Sequence, residues 1–204
     1  MAYCQFNLKD SLGRDYHEEW GTPVHEDQQQ FEHLSMEVMQ CGLSFRTVLV
    51  KREILRQCFS GFAIDKVAAF TENDVERIME TQGMIHAVRK IRAIINNAKR
   101  VQEVQNEFGS FSAYLWSFTD GKVVCYQGHE KGRIPASNGL SLRISKDLKK
   151  RGFTFVGPIV IYSYLQACGI INDHDGQCPR RQAILKKHVS IQLPVDAEQD
   201  VRQF

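Results

Sequence analysis

Apolar residues recur at helical spacing over most of the chain. Between Gln28 and Gln40, Phe31, Leu34, Met36, Val38 and Met39 form a mixed but largely helical stripe. Gly42 breaks that run, and Ser44 is placed to cap a second helix. This one carries Phe45, Val48, Leu49, Leu55, Cys58 and Phe59 on one face, with Arg46, Arg52 and Arg56 mostly elsewhere, and Gly61 ends it. Asp65 and Thr71 read as caps of two shorter helices. The clearest amphipathic helix follows, with Ile85, Val88, Ile91, Ile95, Ala98 and Val101 spaced by three or four. Ser110 opens another short helix through Trp116. Asp120-Gly121 marks a turn, Lys122 to Gln127 is the one stretch that could be extended, and Gly128 to Asn138 reads as loop. Leu140 to Lys150 is helical, and Pro158 suits the first turn of a last long helix that Gly169 closes. No alternating strand pattern of any length occurs, so an all-α fold is expected. The domain spans residues 1–180, with a helical core over about 28–169, terminal segments 1–27 and 170–180, and a charged, loosely held tail over 181–204.

Composition narrows the classes. The 204 residues fit one good-sized domain, and 43% apolar with 25% charged residues is enough to bury a real core. Lys plus Arg is 26 against 24 Asp plus Glu, a net charge of +2, so an anionic partner must be met by a local basic face. Apolar runs such as Val156 to Val160 fall far short of a membrane span. The opening MAYCQFNLKD has no basic start followed by an apolar stretch, so a cytoplasmic protein is expected. Six cysteines in such a protein point to burial or metal ligation before disulfides, with Cys41, Cys58 and Cys168 read as core.

Three groups of residues could carry chemistry. Cys4 and His17 near one end, with His174 and Cys178 near the other, would complete a closed tetrahedral zinc set, or be four unrelated residues. Glu37 lies in the apolar stretch SMEVMQCGLSF. It is either turned to solvent or buried to meet a cationic or donor-bearing ligand. Tyr16, Phe6, Phe45 and Trp20 are aromatics of the core or of a stacking site. Between two helices, Thr81-Gln82-Gly83-Met84-Ile85 is a plain turn or a hairpin whose backbone amides accept a phosphate.

Taken together, these stretches resemble the DNA-3-methyladenine glycosylase I family. The resemblance rests on Tyr16-His17-Glu18-Glu19-Trp20-Gly21, on Glu37 followed by Gly42-Leu43-Ser44, and on Lys51-Arg52-Glu53. It continues through Asp65-Lys66-Val67-Ala68, Asp74-Val75-Glu76-Arg77, Leu115-Trp116-Ser117-Phe118, Leu148 to Phe153, and Gln166-Ala167-Cys168-Gly169 through Asn172-Asp173-His174. The likeness runs from about Cys4 to Cys178.

The resemblance implies a helix–hairpin–helix glycosylase fold and a structural zinc ion on Cys4, His17, His174 and Cys178. It implies a base pocket of Glu37, Tyr16, Phe6 and Phe45, with Glu37 reading the flipped base. DNA contacts are expected from Gly42, Leu43, Gly83, Met84, Ile85 and Lys90, with Leu43 filling the gap in the duplex. The implied activity is excision of 3-methyladenine from alkylated double-stranded DNA by a monomeric, monofunctional hydrolase. Two departures bear on this. Phe6 and Phe45 stand where the family usually has Trp, and His86-Ala87 replaces an Arg and a polar residue in the hairpin. A shifted base preference, or a DNA-binding paralogue with little catalysis, are the readings that these departures keep open.

Overall fold

The computed structural model describes Cys4 and residues 10–194, so Phe6 lies outside the described residues. Helix α1 (Ser11–Glu19) was not marked by apolar periodicity: it buries only Gly13, Tyr16 and His17. Its position comes from its partners. Helix α2 (Asp27–Gln40) is buried on every side from Gln30 to Met39, the mark of a central helix. Asp27 at its start accepts the Phe111 and Ser112 amides at 2.8 Å each and the Gln105 side-chain amide at 2.7 Å. One carboxylate thereby ties the first turn of α2 to the start of a helix far along the chain.

The helix expected after Ser44 is two, α3 (Phe45–Val50) and α4 (Arg52–Cys58), joined at Lys51, and Ser44 does cap the first. Helix α5 (Ile64–Ala68) starts one residue before Asp65. Thr71 caps α6 (Glu72–Glu80) in a capping box with Asp74. Helix α7 (Val88–Phe108) is the long amphipathic element and begins three residues after Ile85. Helix α8 (Phe111–Ser117) is capped by Ser110, α9 (Gly139–Lys150) by Asn138, and α10 (Pro158–Ala167) has its proline in the first turn. Helix α2 packs against α3, α7, α8 and α10, which places it at the centre of the core.

The all-α expectation is corrected by a small sheet. Strand β1 (Val123–Tyr126) pairs in parallel with β2 (Ser190–Leu193), in a register running from Val123 with Ser190 to Tyr126 with Leu193. Before it, α11 (Pro179–Lys187) occupies what composition suggested was loose tail. Both elements are short, and β1 is buried at all four positions, so no period-two pattern marks it. The segment 195–204 lies outside the described residues.

Arg52 joins three helices. Its guanidinium donates to both carboxylate oxygens of Glu19 on α1, at 2.6 and 2.7 Å, and to Glu32 on α2 at 2.6 Å. Burial alone would raise the Glu19 carboxyl; the arginine more than offsets this and holds it low.

Gly169 closes α10 at φ +69°, and a Cβ there would lie 2.4 Å from the Thr22 carbonyl carbon and 2.5 Å from the Pro23 nitrogen. The close approach lets Val24 N–H reach the Cys168 carbonyl at 3.1 Å. Gly169→Ala is expected to cost about 2 kcal/mol and to lower the melting temperature by roughly 4–8 °C in a thermal unfolding scan.

Candidate active site

A cavity of about 920 Å3 opens between the N-terminal helices and α10. Glu37 of α2, Tyr16 of α1 and Phe45 of α3 line it, as do Tyr162 and Gln166 of α10. The local folding explains the convergence. Helix α2 stops at Gln40, Gly42 turns the chain at φ +76°, and Ser44 restarts it, so Phe45 opens α3 beside the C-terminal half of α2.

Glu37 places a carboxyl inside this core. Two of the buried polar groups on α2 are satisfied: the Gln30 side chain donates to the Val24 carbonyl at 2.8 Å and accepts the Tyr164 hydroxyl at 2.6 Å, and Glu32 meets Arg52, whereas His33 Nε2 and Ser35 Oγ make no hydrogen bond among the described residues. Glu37 is 5% exposed and its carboxyl has no hydrogen-bond or ionic partner among the described residues. Burial pushes its pKa up to about 8. A carboxyl held this way stores a cost that a cationic or donor-bearing ligand in the cavity would relieve.

Tyr16 is buried, and its phenol is driven well up by desolvation and by the Glu37 and Glu19 carboxylates. Its ring centroid lies 4.7 Å from that of Phe45, with planes tilted by 45°. A base held between two rings needs centroids about 7 Å apart, twice the ordinary contact distance. As they stand, Tyr16 and Phe45 form one aromatic wall, and a flat ligand meets that wall on a single side or displaces Phe45. Arg46 of α3 also lines the cavity and pairs with Asp10 just ahead of α1.

The residues expected at DNA divide into two groups. Leu43 is 39% exposed at the tip of the turn between α2 and α3. Gly83 sits at φ +81° between α6 and α7, and its amide and that of Ile85 make no backbone hydrogen bond among the described residues. Met84, however, is buried in the core and its amide is used by the Thr81 carbonyl at 3.1 Å. Lys90 also departs from expectation. Its ammonium donates to the Met39 carbonyl at 2.8 Å and to that of Cys41, closing the C-terminal end of α2. Lys51 does the same for the Gly83 carbonyl. These two lysines brace the Leu43 turn and the hairpin instead of reaching outward.

Cys4, His17, His174 and Cys178 come together, with all four ligand atoms within 4.8 Å of one another. Cys4 Sγ lies 3.4 Å from His174 Nδ1, and Cys178 Sγ lies 3.4 Å from His17 Nε2 and 3.6 Å from His174 Nδ1. Ligands at 2.0–2.3 Å around a tetrahedral ion stand about 3.3–3.8 Å apart, so these three spacings fit. His174 Nε2–H donates to the Trp20 carbonyl at 3.0 Å, which fixes the tautomer and turns the Nδ1 lone pair to the cluster. Burial lowers both imidazoles, His174 to about 4, leaving them neutral and able to ligate. Burial, with Cys178 beside it, pushes the Cys4 thiol up to about 12, a penalty on the thiolate that a dication would reverse.

Sequence reasoning did not single out His129 or Tyr162 as lining this cavity, nor Gln166 and Asp173 beyond their place in a matching stretch. A lone histidine in a loop and polar residues on an apolar helix carry no spacing signal.

A helical protein with a buried carboxyl that has no partner among the described residues, set beside an aromatic wall, and with a glycine hairpin at its surface, is suited to take a flat, electron-poor ring. The comparisons with known proteins agree with that class. The sequence pattern of the methyladenine glycosylases matches residues 6–182, and the chain belongs to that family. It is 42% identical over 179 residues to DNA-3-methyladenine glycosylase 1 of Escherichia coli strain K12, covering 87% of this chain and 96% of that protein. A crystal structure of 3-methyladenine DNA glycosylase I superposes with a TM-score of 0.82 at 41% identity, over 87% of this chain and 98% of the other. A tyrosine-to-phenylalanine variant of 3-methyladenine DNA glycosylase I, in complex with 3-methyladenine, gives 0.83 at 35% identity over 89% and 98%.

Proposed function

We propose that this protein is a monomeric DNA repair glycosylase that flips 3-methyladenine out of alkylated duplex DNA and hydrolyses its N-glycosidic bond, the opening step of base excision repair. The observation that carries this reading is Glu37, a buried carboxyl without a partner among the described residues, facing a cavity with an aromatic wall. An adenine alkylated at N3 is cationic in DNA and presents N–H donors at its edge, which is the chemistry such a carboxyl lacks. Glu37 accepts from the base edge, Tyr16 and Phe45 supply the stacking surface, and Leu43 enters the duplex where the nucleotide has left.

The test is release of free base from methylated duplex DNA by the purified protein, with the products separated by chromatography. Release of 3-methyladenine is the expected result. Release of other bases in preference would favour the shifted specificity that Phe45 suggests, and release of none would favour a DNA-binding paralogue.

The reading includes a structural zinc ion on Cys4, His17, His174 and Cys178, supported by the fit of their spacing to a tetrahedron. Four protein ligands leave no position for a reacting water, so the ion serves as a crosslink between chain ends.

It also includes a helix–hairpin–helix contact at Gly83 to Ile85, supported by the unused amides there. Replacing His86 by Arg and Ala87 by Asn is expected to tighten binding to duplexes of any sequence several-fold at low salt and to steepen the salt dependence. Unchanged affinity in a fluorescence anisotropy titration would count against this contact.

A further inference from the structure

His129 lies in the loop between β1 and α9, and it lines the same cavity as Glu37. It is 3% exposed, its ring centroid lies 5.0 Å from that of Tyr126, and its side-chain hydrogen bonds among the described residues fall on Nδ1. Its Nδ1 lies 2.7 Å from Oδ1 of Asp173 and 3.5 Å from the Tyr162 hydroxyl. Asp173 is itself fixed: Oδ2 accepts the Tyr162 hydroxyl at 2.6 Å and the Gln166 amide at 2.8 Å. The loop is pinned as well, because the Glu130 carboxylate accepts the Gly128 amide and the Glu130 carbonyl accepts the Gly176 amide, each at 2.8 Å.

This wiring decides the tautomer. A carboxylate can only accept, so Nδ1 carries the hydrogen and Nε2 keeps a lone pair. Nε2 makes no hydrogen bond among the described residues, and it is not among the buried side-chain atoms sealed off without a partner. An imidazole oriented by a buried carboxylate, with its far nitrogen open to a cavity, is the arrangement that accepts a proton from a nucleophile.

We propose that His129, positioned by Asp173, Tyr162 and Gln166, takes the proton of the water that attacks the sugar. This step rests on the glycosylase reading above. The bond between C1′ and the base nitrogen breaks, and its electron pair neutralises the cationic base, which leaves as a neutral molecule. Water oxygen forms the new bond to C1′, and one water proton passes to Nε2. Glu37 and His129 then divide the work between two walls of one cavity, the first holding the base and the second serving the nucleophile.

Single-turnover base release from methylated duplex DNA by full-length His129→Ala separates this role from others. Release is expected to fall about 100-fold. The affinity for free 3-methyladenine and the metal content should stay as in wild type. Imidazole added to the assay should restore part of the lost rate, because the cavity has room for it. Tyr162→Phe, which loosens Asp173 without touching Nε2, should give a smaller loss. Wild-type rates for His129→Ala would overturn the proposal, and so would a loss matched by weaker base binding and unmoved by imidazole. If wild type itself releases no base, the glycosylase reading fails, and this step with it.

Discussion

If Cys4, His17, His174 and Cys178 hold zinc as proposed, removal of the metal from the purified protein is expected to lower its melting temperature by roughly 10 °C or more, because the ion would bind the folded chain and scarcely the unfolded one. A site occupied at a thousand times its dissociation constant contributes about 4 kcal/mol, and each kcal/mol moves the midpoint of a chain this size by about 2–4 °C. The effect should spread beyond the ligands. Helix α1 buries only three residues, and one of them is His17. With the crosslink gone, α1 is held chiefly by the Glu19–Arg52 pair and by the packing of Tyr16 and Leu12. Tyr16 then loses its fixed place in the cavity wall, so base binding should fail together with stability. Cys178→Ser should reproduce both losses. Chelation that removes the metal, as checked by elemental analysis, and leaves the melting curve unmoved would refute the structural role.

Glu37→Gln is expected to slow base release about ten- to a hundredfold while making the protein more stable at alkaline pH. The rate loss corresponds to a charge-assisted hydrogen bond worth roughly 1.5–3 kcal/mol, since the amide keeps the shape but sets a donor against the base's own donors. The stability gain follows from the raised pKa. In the unfolded chain the carboxyl titrates near 4.5, while in the folded protein burial lifts it to about 8. Between those values the folded state holds the extra proton, so stability falls as pH rises and the cost is fully present above pH 8. That cost is at most about 5 kcal/mol, and glutamine removes it. Binding of a cationic base runs the other way: it favours the carboxylate, expels the proton and strengthens as pH rises toward 8. Denaturant melts of both proteins at pH 5 and pH 9 measure the first effect. Equal stabilities at pH 9, or equal rates of 3-methyladenine release, would refute the assigned role of Glu37.

Residues that organise this site differ in how openly the sequence displays them. Caps and apolar stripes act over a few residues, and Ser44, Thr71, Ser110 and Pro158 mark the helices that they begin. Glu37 was visible as a charge inside an apolar helix, whereas residue type alone left the four Cys and His residues as a ligand set or four unrelated residues, and only the family resemblance grouped them. Helix α1 was hidden because its stability is tertiary: Arg52 reaches it from α4, and no residue between Ser11 and Glu19 announces that. Lys90 looked like a surface cation following a hairpin, yet the nearest unpaired acceptors are carbonyls at the end of α2, a fact of three-dimensional packing. His129 and Asp173 meet across 44 positions of the chain, and neither carries a local pattern.

Strand β1 obtains one of its neighbours from residues 170–172, through the Val124 amide to the Ile170 carbonyl at 2.8 Å and the Asn172 amide to the Val124 carbonyl at 2.9 Å. Its other neighbour is β2, in a stretch beyond the residues that the family pattern covers. On the ribosome, then, β1 must wait with both edges unpaired until residues 170–172 are made, and with one edge unpaired while the chain through Leu193 is made. At about 5–20 residues per second that interval lasts roughly 3–13 s. Val123-Val124-Cys125-Tyr126 is short, uncharged and rich in strand-forming side chains, the composition that pairs readily with a copy of itself. The nascent chain is accordingly most exposed to misassembly in this window, and synthesis that halts before Ser190 leaves an open strand edge in an otherwise helical protein.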